Sequence, residues 1–140
     1  MKKLQIITIC VSLIMLTACR REDSVDTNQA AKALLLGKWQ LNNLVDDYYE
    51  PVNVLKDHYE TPGTPGDSVI FKSDNQMFSY IDVSPGEEKD IYPYEWINDS
   101  IIKVDGEQYT IRKLTSSELI LYNEVPKNNG KEVEIAYFIR

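Results

Sequence analysis

Residues 91–114 read IYPYEWINDSIIKVDGEQYTIRKL, and this stretch decides the fold. Large apolar and aromatic side chains recur with a period of two in short runs, the period of a strand whose alternate residues face opposite ways. Asn98-Asp99 makes a tight turn after the first run, Ile91 to Ile97. Asp105-Gly106 separates the second run, Ser100 to Val104, from the third, Glu107 to Leu114. Asp-Gly between alternating runs is a strong hairpin signal, because both turn positions take positive φ. Strands joined so closely are antiparallel neighbours.

The same grammar extends outward. Upstream lie Gln76 to Val83, closed by the turn Ser84-Pro85-Gly86-Glu87, and Ser68 to Lys72, with Val69 and Phe71 inward. Asp46 to Gly66 reads as a long connection, broken by Pro51, Pro62, Gly63, Pro65 and Gly66. Before it, Lys38 to Val45 places Trp39 and Leu41 on one face. Downstream come Glu118 to Val125, a turn at 126–130, and Glu132 to Arg140 with Val133, Ile135, Tyr137 and Ile139 alternating. Asn28 to Leu36 is rich in helix formers, with Asn28 as N-cap and Gly37 as stop; so short a helix needs Leu34 and Leu35 packed on something. The expectation is an all-β chain of eight strands behind a short N-terminal helix. An open sheet of eight would expose two edges and one apolar face. Closure into a small antiparallel up-and-down β-barrel removes both, leaving an interior that side chains fill or that holds one small ligand.

Gly37-Lys38-Trp39, opening the first strand behind a helical run, resembles the lipocalin signature. The span 34–140 is similar to the small lipocalin-like domains of Bacteroidetes lipoproteins, with Ser68-Val-Ile-Phe71, Tyr94-Glu-Trp96 and Tyr109-Thr-Ile-Arg-Lys-Leu114 adding to the likeness. The resemblance implies that Gly37 and Trp39 close one end of the barrel and that Arg140 packs across the indole as a cation on a ring. It also implies that 46–66 lids the mouth, with Val52, Val54, Leu55, Tyr48, Tyr49 and Tyr59 available to cover it. The chain is shorter than secreted lipocalins and lacks their disulfide cysteines, which implies a shallow barrel.

The N-terminus addresses the chain to the cell envelope. Lys2-Lys3, the apolar run Leu4 to Leu16 and the small pair Thr17-Ala18 have the layout of a secretory signal. The apolar run is too short for a spanning helix, which needs about 20 residues. Leu16-Thr17-Ala18-Cys19 resembles a lipobox, implying cleavage before Cys19 and acylation of it. Residues 1–18 are then a lipoprotein signal peptide, 19–33 a tether and 34–140 the barrel domain. Lipid on Cys19 is the expected link to the membrane, and Arg20 in the next position favours the outer membrane, facing the periplasm or the surface. Cys10 leaves with the signal and Cys19 is consumed by lipid, so no thiol remains for a disulfide, a metal or nucleophilic catalysis. The formal charge is −7 for the whole chain, and loss of Lys2 and Lys3 makes the domain more acidic still. Such a domain repels phosphate backbones, which excludes nucleic acid as a partner.

No catalytic constellation stands out, so no enzyme, no cofactor and no metal site is expected. His58 is the one histidine, without a recognisable Ser or Cys motif. One histidine cannot supply the usual zinc sets, and the acid pairs Asp46-Asp47 and Glu87-Glu88 lack EF-hand spacing. Asp23-Ser-Val25, Asp67-Ser-Val69 and Asp99-Ser-Ile101 resemble an O-glycosylation sequon; turn chemistry also explains the last two. Tyr92, Tyr94 and Trp96 are the candidate ligand-binding residues: inward they line a pocket or fill the core, outward they form a platform for sugars or a protein. Two functions follow: a barrel binding a small apolar or amphipathic ligand or a glycan, or an interaction or inhibitor module with a filled core.

Overall fold

The computed structural model describes residues 27–82 and 88–140. One helix, α1 (Thr27–Leu35), precedes the strands β1 (Gly37–Tyr49), β2 (Leu55–Pro62), β3 (Ser68–Phe71), β4 (Gln76–Ser79), β5 (Asp90–Asn98), β6 (Ile101–Val104), β7 (Glu107–Leu114), β8 (Glu118–Lys127) and β9 (Gly130–Ile139). β1 and β3 to β9 form a closed antiparallel barrel of eight strands, each paired with the next and β9 pairing back with β1. The eight runs expected from the alternation are these eight strands. The signal, Cys19 and most of the tether lie outside the described residues, as does the turn at 84–87. Among the described residues no helix is long and apolar enough to cross a membrane.

The segment 46–66 is not the irregular lid expected of it. β1 continues to Tyr49, and the chain returns as β2, paired with Asn43–Tyr49. β3 occupies the same edge of β1 lower down, at Gly37–Gln40. β2 is therefore a flap hydrogen-bonded to β1 alone. Every β2 residue is exposed, so no buried stripe marks the strand; satisfied main-chain groups hold it. Val52, Val54 and Leu55 stand about half exposed. The flap joins the wall at Gly63, where a Cβ would collide with the Leu41 carbonyl.

Register sets the facing of the last strand. Phe138 lies opposite Leu41, Ala136 opposite Leu44 and Glu134 opposite Asp46, with a bulge in β1 between Leu41 and Asn43. Ala136 and Phe138 are buried inside, while Ile139 is 44% exposed. Ile135, Tyr137 and Ile139, of the opposite parity, are thus the less buried set, while Val133 of that parity is buried at 5%. Both parities of this strand carry apolar residues, and only pairing with its neighbours selects between them.

The core is densest at the end beneath α1. Trp39, Leu35, Ile102 and Leu119 have no exposed surface. The Trp39 indole N–H donates to the Leu35 carbonyl at 2.8 Å, tying the helix end to the barrel floor. Of the two leucines expected to anchor α1, only Leu35 does so; Leu34 is 38% exposed.

Candidate functional site

At the closed end, Arg140 lies over the Trp39 ring with its guanidinium carbon 3.9 Å from the centroid. Its Nε donates to the Lys38 carbonyl at 3.3 Å and its Nη2 to the Leu36 carbonyl at 2.5 Å. Gly37 has φ of 104°, and a Cβ there would sit 3.3 Å from the guanidinium. Glycine is thus required twice, by backbone conformation and by the approach of Arg140.

The three aromatic residues of β5 share one parity but not one site. Tyr94 is buried, packs edge-on against Phe71 at 5.2 Å between centroids, and donates its hydroxyl to the Lys72 carbonyl at 2.7 Å. Trp96 is half-buried against the core and, with Tyr94, borders a shallow depression beside α1 at the closed end. Only Tyr92 reaches the opposite end.

That opposite end holds a cavity of about 310 Å³. Leu41, Val69, Leu121 and Phe138 line it, with Leu44, Met77, Ile81, Val104 and Ala136 completing the apolar surface. Its polar groups are Ser79, Asp90, Tyr92, Tyr109 and Glu134. β6 and β7 turn back at Asp105-Gly106, and there a second depression, bordered by Asp105 and Glu107, shares Met77, Tyr92, Val104 and Tyr109 with the cavity. Ser79 is 8% exposed; its Oγ accepts from the Ile81 N–H at 3.4 Å. No acceptor for the Ser79 hydroxyl proton is found among the described residues.

Among the described residues, the charged groups lining the cavity and the adjoining depression are all acidic. Glu134 lies opposite Asp46 on β1 and opposite Asn123 on β8. Burial pushes the Glu134 carboxyl above its ordinary range, and the charges of Asp46, Glu107 and Glu132 push it further. Asp46 is raised likewise, by burial first and then by Glu132 and Asp47. Tyr109 donates its hydroxyl to Glu107 at 3.3 Å, and Asn123 donates to the same oxygen at 3.3 Å. Burial, then the charges of Glu134 and Glu107, hold the Tyr109 phenol well above its usual value. Glu132 alone of the inward acids on β9 is paired, with Lys127 at 2.7 Å.

The other sequence candidates fall outside the cavity. His58 sits on β2 with Nδ1 at 2.6 Å from Asp47 and Nε2 at 3.2 Å from Glu60. Those carboxylates favour imidazolium and raise its pKa, chiefly through the Asp47 hydrogen bond. Asp67 is turn chemistry: its carboxylate accepts from the Thr64 N–H and hydroxyl at 2.7 and 2.8 Å. Ser68 beside it is 2% exposed and so closed to a glycosyl transferase. Among the described residues no three His, Cys, Asp or Glu side chains are grouped to hold a metal ion. Sequence reasoning did not single out Glu134; it weighed Asp46 only with Asp47 as a metal pair and named Tyr109 only as part of the likeness at 109–114. The available signal was an acid at an inward register position, which requires the strand pairing to read.

No family model matches the chain, and no curated protein matches it. Among solved structures it is similar to a deswapped triple mutant of bovine odorant binding protein, at 16% identity and a TM-score of 0.46, over 76% of this chain and 74% of that one. The closed eight-strand antiparallel barrel is read from the chain's own strand pairing.

Proposed function

We propose that this chain is a lipid-anchored protein of the bacterial cell envelope whose barrel holds a small apolar or amphipathic molecule. The observation that carries the binding reading is the open-end cavity. Its volume lies at the lower end of the ~300–1,000 Å³ of small-molecule pockets, its surface is mostly apolar, and a few polar groups converge on it. An interaction module with a filled core, the competing reading, fits this end of the barrel poorly. Native mass spectrometry of protein taken from its own envelope tests the proposal: a retained small molecule is expected, and it should be lost in Ala136→Trp, which fills the cavity from β9. A wild-type protein that carries nothing and is indistinguishable from Ala136→Trp would overturn it.

The anchor rests on residues 16–19. Metabolic labelling with an alkyne fatty acid should mark the wild type and not Cys19→Ser. Labelled protein should fractionate with the outer membrane, and protease shaving of intact cells distinguishes the surface from the periplasmic face.

A further inference from the structure

We propose, resting on the ligand-binding reading above, that the molecule in the cavity is an organic cation: an ammonium group on a short apolar body, with its charge beside Glu134 and its body against Leu41, Val69 and Phe138.

The cavity defines the site, and its charge pattern selects the class of ligand. Asp90 and Glu134 line the cavity, Asp105 and Glu107 the adjoining depression, and among the described residues neither lining contains a lysine, arginine or histidine. Among the described residues no ion pair involves Glu134 or Asp46. Yet these two carboxylates stand directly opposite each other across the β1–β9 ladder, where like charges destabilise a sheet. Elsewhere the barrel does pair its acids: Glu132 with Lys127, Glu124 with Lys131, Glu118 with Lys113. The described residues therefore supply counter-charges along the outer and rim surfaces but none at the cavity.

An anionic amphiphile such as a fatty acid would bring a further carboxylate into this field and is disfavoured. A neutral ligand would leave the repulsion as it is. A cation relieves it, and the Tyr92 and Tyr109 rings at the same mouth suit an ammonium group, which is attracted to aromatic faces. A bare divalent ion is a poor alternative, since among the described residues no three acidic side chains are grouped to hold one. The buried Ser79 hydroxyl, without an acceptor for its proton among the described residues, would serve an oxygen on the ligand's apolar body.

Three probes of matched chain length separate the outcomes: octyltrimethylammonium, octanol and octanoate, each titrated by calorimetry at pH 7 against the intact barrel domain. The cation should bind at least tenfold more tightly than octanol, and octanoate most weakly. Glu134→Gln should lose at least tenfold for the cation and leave octanol unchanged. Ala136→Trp should abolish binding of all three. Glu95→Gln, which alters an exposed acid 3.6 Å from Lys103 and outside the cavity lining, should change nothing and so reports non-specific attraction to an acidic surface. Equal affinity for all three probes, or a Glu95→Gln loss matching that of Glu134→Gln, overturns the cation while leaving the cavity a binding site. Binding of none of them by a folded wild type overturns the cation and removes support from the binding reading as well.

Discussion

Beneath α1, Trp39 has no exposed surface, its N–H is bonded to Leu35, and Arg140 covers its ring while meeting two carbonyls. At the other end of the same barrel, Glu134 faces Asp46 without a cation, and apolar side chains surround about 310 Å³ of space. Both ends are built from the same strands, β1 and β9 contributing to each. The closed end bonds its indole N–H and its guanidinium to main-chain carbonyls, although the Asn28 Oδ1 on α1 is buried without a hydrogen-bond partner. The open end leaves volume unfilled and charge uncompensated, a departure from local consistency of the kind expected where a partner completes the structure. Stability and function are thus segregated along the barrel axis, and substitutions at the two ends should differ in sign as well as size.

The largest effect is expected at the closed end. Trp39→Ala removes the plug and the Leu35 hydrogen bond together and should cost about 3–5 kcal/mol, the range for large aromatic truncations. Urea denaturation followed by circular dichroism measures it. A loss below about 1 kcal/mol would mean that the indole is not what closes the barrel. Arg140→Ala should cost less, about 1 kcal/mol, from a cation–π contact at a solvent-exposed site together with the bonds to Leu36 and Lys38. Because Trp39 and Arg140 touch, their effects should not add: the double variant should lose less than the two single losses combined. Strict additivity would sever the link between ring and guanidinium.

Alternation and turn chemistry made the eight barrel strands legible, since both are written in adjacent residues. β2 was not legible, because a strand exposed at every position carries no buried stripe and is held by pairing with β1 and by exposed side-chain contacts such as His58 with Asp47 and Tyr59 with Tyr48. The facing of β9 was not legible for a related reason: with apolar residues at both parities, the choice belongs to register. Tyr92, Tyr94 and Trp96 show a third limit. Parity places them on one face, but at ~3.3 Å per residue they span ~13 Å along the strand, enough to reach from the cavity to the floor. Depth, which decides function here, is invisible to a period of two. Glu134 needed both kinds of information, its inward register and the absence of a neighbouring cation.

The smallest effect is the most informative, because it has the opposite sign. In the fold the Glu134 carboxyl is held above its ordinary 4.5 by burial, and then by Asp46, Glu107 and Glu132. The native state therefore retains this proton to higher pH than the unfolded chain does. The favourable term is complete below the unfolded value and is lost as pH rises through the folded one. Glu134→Gln keeps the shape of the protonated acid and does not titrate. Near pH 4 the variant and the wild type should be equally stable; toward pH 7 the variant should become the more stable, by about 0.2–1 kcal/mol for relief of an opposed like-charge pair. Thermal melts across that window read the difference directly, and a wild type that stayed the more stable at pH 7 would show that Glu134 is already compensated. Octyltrimethylammonium should reverse the pattern. A cation favours the ionised carboxylate, so its affinity for the wild type should rise with pH over the same window in which the empty protein loses stability, and in Glu134→Gln it should lose the part of that rise contributed by Glu134.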